Sequence, residues 1–128
     1  MRLESAAQID SCSTRVIDAD RVSATRARVI QQGQADQVAE VFRLLGDPGR
    51  VRMLCALEEA GELCVCDLAA VVAMAESSVS HSLRLLRAAG IVRHRRSGRQ
   101  VFYSLEDAHV RLLLDVTVEH VRHGAAVS

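Results

Sequence analysis

Apolar residues recur at helical spacing along most of this chain, and the interruptions mark its organisation. Residues 1–22 lack a sustained apolar period and read as a flexible arm carrying one cysteine, in Asp10-Ser11-Cys12-Ser13. Residues 23–128 read as one domain. A first helix is predicted within Val22–Gln32, ending near Gly33. Val38, Val41, Phe42, Leu44 and Leu45 then give a helical stretch over Gln37–Leu45 that stops at Gly46. Asp47-Pro48 is a strong helix start, because Asp can cap orphan N–H groups and Pro is tolerated at the first helical position. The helix it opens, Pro48–Ala60, turns Val51, Leu54, Cys55 and Leu57 inward and closes at Gly61.

A short helix is predicted from about Cys64 to Val72. After a turn over Ala73–Glu76 comes Ser77–Ala89, with Val79, Leu83, Leu86 and Ala89 on one face and Gly90 as its C-terminal cap. Two short helices joined by a tight turn, the second polar and basic outside, form a helix-turn-helix pattern. Ile91–His94 and Gln100–Ser104 read as strands around Arg95-Arg96-Ser97-Gly98-Arg99, a hairpin with an arginine-rich tip, which makes it a wing. Ser104 with Asp107 matches a capping box opening a final helix to about Arg122. The expected fold is therefore mainly α with a small β-hairpin: a winged helix-turn-helix, dimeric through its terminal helices.

Composition supports that class. Of 128 residues 49% are hydrophobic and only 2% aromatic, so the core is built from Leu, Val and Ala rather than from the aromatic-rich strands of a sandwich or barrel. Formal charge is zero, but Ser77–Tyr103 holds six arginines and no acid, a local anion-binding face. The chain has no lysine, so every fixed positive charge is an Arg, a pattern that GC-rich codons also produce. No segment is apolar enough to span a bilayer and no signal-peptide pattern opens the chain, which places the protein in the cytoplasm. There its four cysteines stay reduced, and Cys-X-Cys reads as a metal or redox element.

A helix entering the major groove needs short polar side chains near its N-terminus and cations reaching the flanking phosphates. Ser77, Ser78, Ser80, His81, Arg84 and Arg87 meet that need on the second helix of the pair, and Arg95, Arg96 and Arg99 on the wing. A serine cluster or an Arg-rich hairpin alone is usually only a solvated surface. Their occurrence in the order helix, turn, helix, wing is what favours double-stranded DNA.

Cys64 and Cys66 are too few for a closed zinc site, which takes four ligands. With Cys12 they make a three-thiolate site suited to cadmium, lead or trivalent arsenic. Cys55, mid-helix on an apolar face, reads as a small core residue. A second constellation, Asp107, His109, His120 and His123, lies on the last helix. His109 and His120 fall within ~20° of one helical face but ~16 Å apart along it, so one chain cannot bring all four together. An antiparallel helix from a second protomer can, giving two symmetric zinc-type sites at an isologous interface. Val110, Leu112, Leu113, Leu114, Val116, Val118 and Val121 are the candidate dimer contacts between them. In the plainer reading Asp107 only caps the helix and the histidines only complement its dipole.

The chain resembles the ArsR/SmtB family of winged-helix metal-sensing repressors over roughly residues 35–124. The resemblance is carried by Leu45-Gly46-Asp47-Pro48-Gly49-Arg50, by Glu62-Leu63-Cys64-Val65-Cys66-Asp67-Leu68-Ala69, by Ser77–Gly90, and by Asp107-X-His109 with His120-X-X-His123. It is most similar to the cadmium/lead-sensing CadC branch, which implies that Cys12, joined across the dimer to Cys64 and Cys66, senses Cd(II) or Pb(II), and that metal releases the operator. That branch has a second arm cysteine where this chain has Val16, which favours three thiolates over four. Arsenic sensors have a third cysteine directly after the shared stretch, where this chain has Ala69. The C-terminal quartet matches the family's zinc site, with His123 where some members have Glu.

The expected function is a homodimeric repressor with no small organic substrate, released from operator DNA by Cd(II) or Pb(II), with Zn(II) possible at the C-terminal helix. An arsenite-responsive or zinc-only repressor and a thiol redox-sensing repressor are the alternatives within the class. A metal buffer would not need the acid-free basic segment. An enzyme is disfavoured because no metalloprotease, nucleophile-elbow or phosphate-loop motif is present.

Overall fold

A computed structural model describes residues 15–127. The chain divides into two compact units with the boundary after Ala35. In the first, α1 (Ala19–Arg28) is capped by Asp18, whose carboxylate accepts from Arg21 N at 3.0 Å. None of its side chains is buried. It is held by its cap, by Asp20 in its first turn and by Arg26 and Arg28 in its last, each complementing the helix dipole. The helix begins at Ala19, so residues 19–22 of the expected arm are helical. The expected stop near Gly33 is not observed either. Val29 is already extended, and Gly33 lies inside α2 (Gln32–Leu45). A glycine costs only about 1 kcal/mol in a helix interior, too little to end one by itself.

In the second unit α2 buries Leu44, packs Val41 and Leu45 against the core, and leaves Val38 and Phe42 exposed. α3 (Pro48–Ala60) has the expected bounds. Asp47 accepts from Arg50 N at 3.0 Å, Pro48 opens the first turn, and Gly61 closes the helix at φ 87°, a conformation only glycine adopts without strain. Its buried face is Met53, Leu54 and Leu57; Val51 and Cys55, expected inside, are half-buried. Two arginines of α3 satisfy helix ends nearby: Arg50 Nε donates to Leu44 O at 2.7 Å and Arg52 Nη1 to Val72 O at 2.9 Å.

β1 (Leu63–Cys64) precedes α4 (Val65–Val72), so Cys64 is the N-cap residue of that helix and a strand residue rather than part of the helix. A turn through Ala73, left-handed at φ 56°, leads to α5 (Glu76–Ala88). The wing is longer than expected. β2 (Val92–Ser97) and β3 (Gln100–Leu105) pair up to Ser97↔Gln100, so Arg95 and Arg96 are strand residues and the turn is Gly98-Arg99 alone. Gly98, at φ 64°, takes the first central position, which favours glycine in tight hairpins. β1 adds antiparallel to β3 (Leu63↔Tyr103, Cys64↔Phe102), completing a three-stranded sheet in the order β1-β3-β2 where a two-stranded hairpin was expected.

Ser104 belongs to β3 and does not cap the last helix. Asp107 does, its Oδ1 accepting from His109 N and Val110 N at 3.1 Å, and α6 (Ala108–Val127) follows. Leu44, Leu54, Leu57, Leu68, Val72, Val79, Leu83, Leu86, Val92, Leu105 and Leu114 form one buried cluster. α4, α5 and the wing are thereby seated on a common core. Among the described residues no helix is long and apolar enough to cross a membrane.

Candidate nucleic-acid interface and metal-ligand sites

The exposed face of α5 follows from how the helix packs. Val79, Leu83 and Leu86 are fully buried, which turns Ser77, Ser78, His81, Arg84 and Arg87 outward; all five are exposed. Ser80 is half-buried, and Ser82 is buried on the core side. The first two turns therefore present two hydroxyls and an imidazole, and the arginines lie further along, which suits base-edge contacts flanked by phosphate contacts.

On the wing Arg96 and Arg99 are exposed. Arg95 is differently placed. Its guanidinium makes a two-pronged ion pair with Glu62, Nε to Oε1 at 2.9 Å and Nη2 to Oε2 at 2.5 Å, and lies 4.9 Å over the Phe102 ring. The Arg95 hydrogen bonds hold the Glu62 carboxyl below the usual carboxylate range and raise Arg95 in turn. Of the three wing arginines singled out in the sequence, one is thus engaged within the protein. Glu62 was visible only as a letter of the Cys-X-Cys stretch, because no local spacing signals a partner on a distant strand.

The thiols sit at the entrance to the helix-turn-helix. Cys64, on β1, is only 7% exposed, whereas Cys66, in the first turn of α4, is exposed. Cys66 Sγ is 3.5 Å from Glu76 Oε1 at the start of α5. That hydrogen bond, and then the Glu76 charge, push the Cys66 thiol up. Glu76 is a second residue that sequence reasoning did not single out. Cys12 lies outside the described residues. Cys55 is half-buried in a groove of α3 and α6 lined by Glu58, Asp115, Glu119 and Arg122, and burial pushes its thiol up.

Sulfur donors at Cys64 and Cys66 suit a soft cation. At the start of α6 Asp107 Oδ2 lies 3.6 Å from His109 Nδ1, an oxygen/nitrogen pair of zinc type. Neighbouring backbone N–H groups and His109 hold the Asp107 carboxyl below its ordinary range, the Val110 N–H foremost. His109, His120 and His123 are all exposed on the continuous helix α6, with Leu112 and Val116 on the same stripe, ~80° wide. Leu114, which the sequence offered as a dimer contact, is buried in the protomer's own core, with Val110 packed against it. Among the described residues, no three His, Cys, Asp or Glu side chains are grouped to hold a metal ion.

A helix pair with an exposed polar and basic second helix, followed by a basic hairpin on the same core, defines a winged helix-turn-helix domain. The model described as "Bacterial regulatory protein, arsR family" matches residues 47–94. The chain is 43% identical over 113 residues to a Synechocystis protein described as a transcriptional repressor SmtB homolog, covering 88% of this chain and 85% of that one. It is 38% identical over 118 residues to a Staphylococcus aureus protein described as a cadmium resistance transcriptional regulatory protein CadC homolog, covering 92% and 97%. The crystal structure of the AntR antimony-specific transcriptional repressor is similar at a TM-score of 0.70 and 31% identity, covering 91% of this chain and 99% of that one. The chain belongs to the ArsR family of bacterial regulatory proteins, which are DNA-binding transcriptional regulators and not enzymes.

Proposed function

We propose that the protein is a homodimeric transcriptional repressor that leaves operator DNA when Cys64 and Cys66, with Cys12, take up a soft divalent ion, Cd(II) or Pb(II). The observation that carries this reading is the position of the two thiols. They stand at the first residues of the helix-turn-helix, one of them in contact with Glu76 of the recognition helix. A soft divalent ion supplies a centre at which thiol protons are exchanged for metal–sulfur bonds. The remaining work is done by the chain. To bind such an ion Cys66 would give up its hydrogen bond to Glu76, and Cys64 would leave its buried position. Regulation requires that these changes favour a dimer whose two α5 helices no longer match successive major grooves. Two thiols alone fall short of a ligand set, so the reading assigns the third to Cys12.

Regulators of this family bind operator DNA as homodimers. Exposed Leu112 and Val116, on the α6 stripe, are apolar residues that a second copy would cover. The same stripe supports a second reading, sensing of Zn(II) by Asp107 and His109 of one protomer with His120 and His123 of its partner. We assign its place of action to the cytoplasm, where the thiols stay reduced.

The test is a cadmium titration of the reduced full-length protein, followed by ultraviolet thiolate-to-metal absorption and by release of promoter DNA. Cys12→Ser, Cys64→Ser and Cys66→Ser are run in parallel. Loss of both band and release in each variant is the expected result. If both survive in all three, sensing belongs to the Asp/His set. Release by peroxide without metal would identify a redox sensor instead.

A further inference from the structure

Three contacts link the thiol stretch to the wing through four residues, and the chain from Glu62 to Cys64 closes the circuit. Cys64 is paired across the β1–β3 ladder with Phe102. The Phe102 ring lies under the Arg95 guanidinium at 4.9 Å. Arg95 returns to the strand's start through its two-pronged ion pair with Glu62. β3 is the centre of the sheet, so any movement of β1 is carried to the strand that positions the rest of the wing.

Cys64 gives that circuit a use. Cys64 is almost wholly buried while Cys66 is open, and both sulfurs must come within bonding distance of one ion, about 2.3 Å in the case of zinc. A site that includes both sulfurs therefore needs Cys64 to be uncovered, which a shift of β1 against β3 would do. That shift strains the ladder, and Glu62 is the side chain that resists it from the wing side. An exposed ion pair taken alone is usually worth little. This one combines two-pronged geometry, a stacked ring and a backbone pairing that ends on a thiol.

We propose that Glu62 is a positioning residue coupling the Cys64/Cys66 thiols to the wing: its hold on Arg95 belongs to the metal-free, DNA-competent arrangement and is given up when the thiols enter a metal site. This rests on the thiol-site reading above. If the hold stabilises only the metal-free arrangement, removing it shifts the balance toward the released one. Weakening the pair must then make the repressor more sensitive to metal. The opposite sign follows if Glu62 merely shields Arg95 from phosphate, because a freed arginine would tighten operator binding.

The experiment uses the full chain as wild type, Glu62→Gln, Arg95→Met and the charge-swapped double variant Glu62→Arg/Arg95→Glu. Cadmium affinity is measured without DNA, by thiolate absorption in competition with a chelator. Operator binding is then measured across a cadmium series. Both single variants are expected to keep the thiolate band and its stoichiometry and to bind cadmium about two- to five-fold more tightly, the range set by an exposed ion pair. Glu62→Gln is expected to release operator at correspondingly lower cadmium, and the double variant to return DNA-free cadmium affinity toward wild type. A residue that only supports the fold would move melting temperature without moving this affinity or being rescued by the swap. An intact band with unchanged or weakened cadmium affinity in Glu62→Gln overturns the coupling and leaves the thiol site standing. A wild type with no thiolate band, or with no release, overturns both.

Discussion

Cys66 and Glu76 join the N-termini of the two helices of the helix-turn-helix: the Cys66 thiol lies 3.5 Å from the Glu76 carboxylate. The contact suits a protonated thiol, which can donate, and disfavours a thiolate, which would face a like charge. It is the reason the Cys66 thiol is pushed up. A thiol whose pKa is raised on folding contributes stability in its protonated form, and that contribution is lost as pH rises through the raised value. Glu76→Gln should remove most of the effect. The pH profile for alkylation of Cys66 by iodoacetamide then moves to lower pH, and the rate at neutral pH increases, because the thiolate is the nucleophile. Peptide mass spectrometry resolves Cys66 from the other cysteines. An unchanged profile would show that the contact is not kept in solution.

Arg84 tests whether the exposed face of α5 meets DNA. It is exposed on α5, whose opposite face is locked into the core by Val79, Leu83 and Leu86. Arg84→Ala should leave the melting temperature nearly unchanged and weaken operator binding. If Arg84 contacts a phosphate, the slope of log affinity against log salt falls by about one and the loss is similar on unrelated DNA. If it reads a base edge, the loss is about 1–3 kcal/mol and is confined to operator sequence.

The sequence was most legible where punctuation is local. Asp47-Pro48 and Gly61 bracket α3, and the helix occupies the interval between them because a cap, a fixed φ and a positive φ act within a few residues. The outward set on α5 was readable apart from half-buried Ser80, since Val79, Leu83 and Leu86 mark the inner face at helical spacing. β1 was not readable. Two residues cannot display a strand's alternation, and Leu63–Cys64 is a strand only because Phe102 and Tyr103 lie opposite it. The same limit hid Glu62 from Arg95, 33 residues away. Ser104 failed as a cap for a related reason: β3 runs on through it and leaves the capping to Asp107. Met53 and Ser82 face the core although neither fitted the apolar stripe assigned to its helix. The burial of Cys64 and the exposure of Cys66 could not be inferred from spacing, and it is this difference that shapes the candidate site.

Asp47 should be the most sensitive single polar residue for stability at the start of α3. Its carboxylate accepts from Arg50 N at 3.0 Å, and Arg50 in turn donates from Nε to the last turn of α2. Asp47→Ala should cost about 1 kcal/mol, within the usual 0.5–2 kcal/mol for a lost cap. For a domain of this size that is a fall of about 4–8 °C in Tm per kcal/mol, read by thermal unfolding. Asp47→Asn, which keeps an acceptor at the same place, should lose much less. Equal losses in the two variants would mean that charge matters more than the cap hydrogen bond.

The α6 stripe separates a dimer contact from a residue that is merely exposed. Leu112, 60% exposed, and Val116, 53% exposed, share a face with His109, His120 and His123, whereas Val121, 62% exposed, points about 180° away from Leu112. Burial alone cannot rank the three, but helix geometry can. If two copies meet along this stripe, Leu112→Glu places an acid from each protomer in the interface, where an unpaired charge is strongly unfavourable. Analytical ultracentrifugation should then show monomer at concentrations where wild type is dimeric. Operator affinity should fall with it, because a monomer engages only one half-site. Val121→Glu adds the same charge to the same helix and should leave both the sedimentation and the operator affinity near wild type. Dissociation by Val121→Glu with a tolerated Leu112→Glu would place the partner on the other side of α6. The Asp107/His109/His120/His123 set would then have no second protomer opposite it, and the zinc reading would fall with the interface.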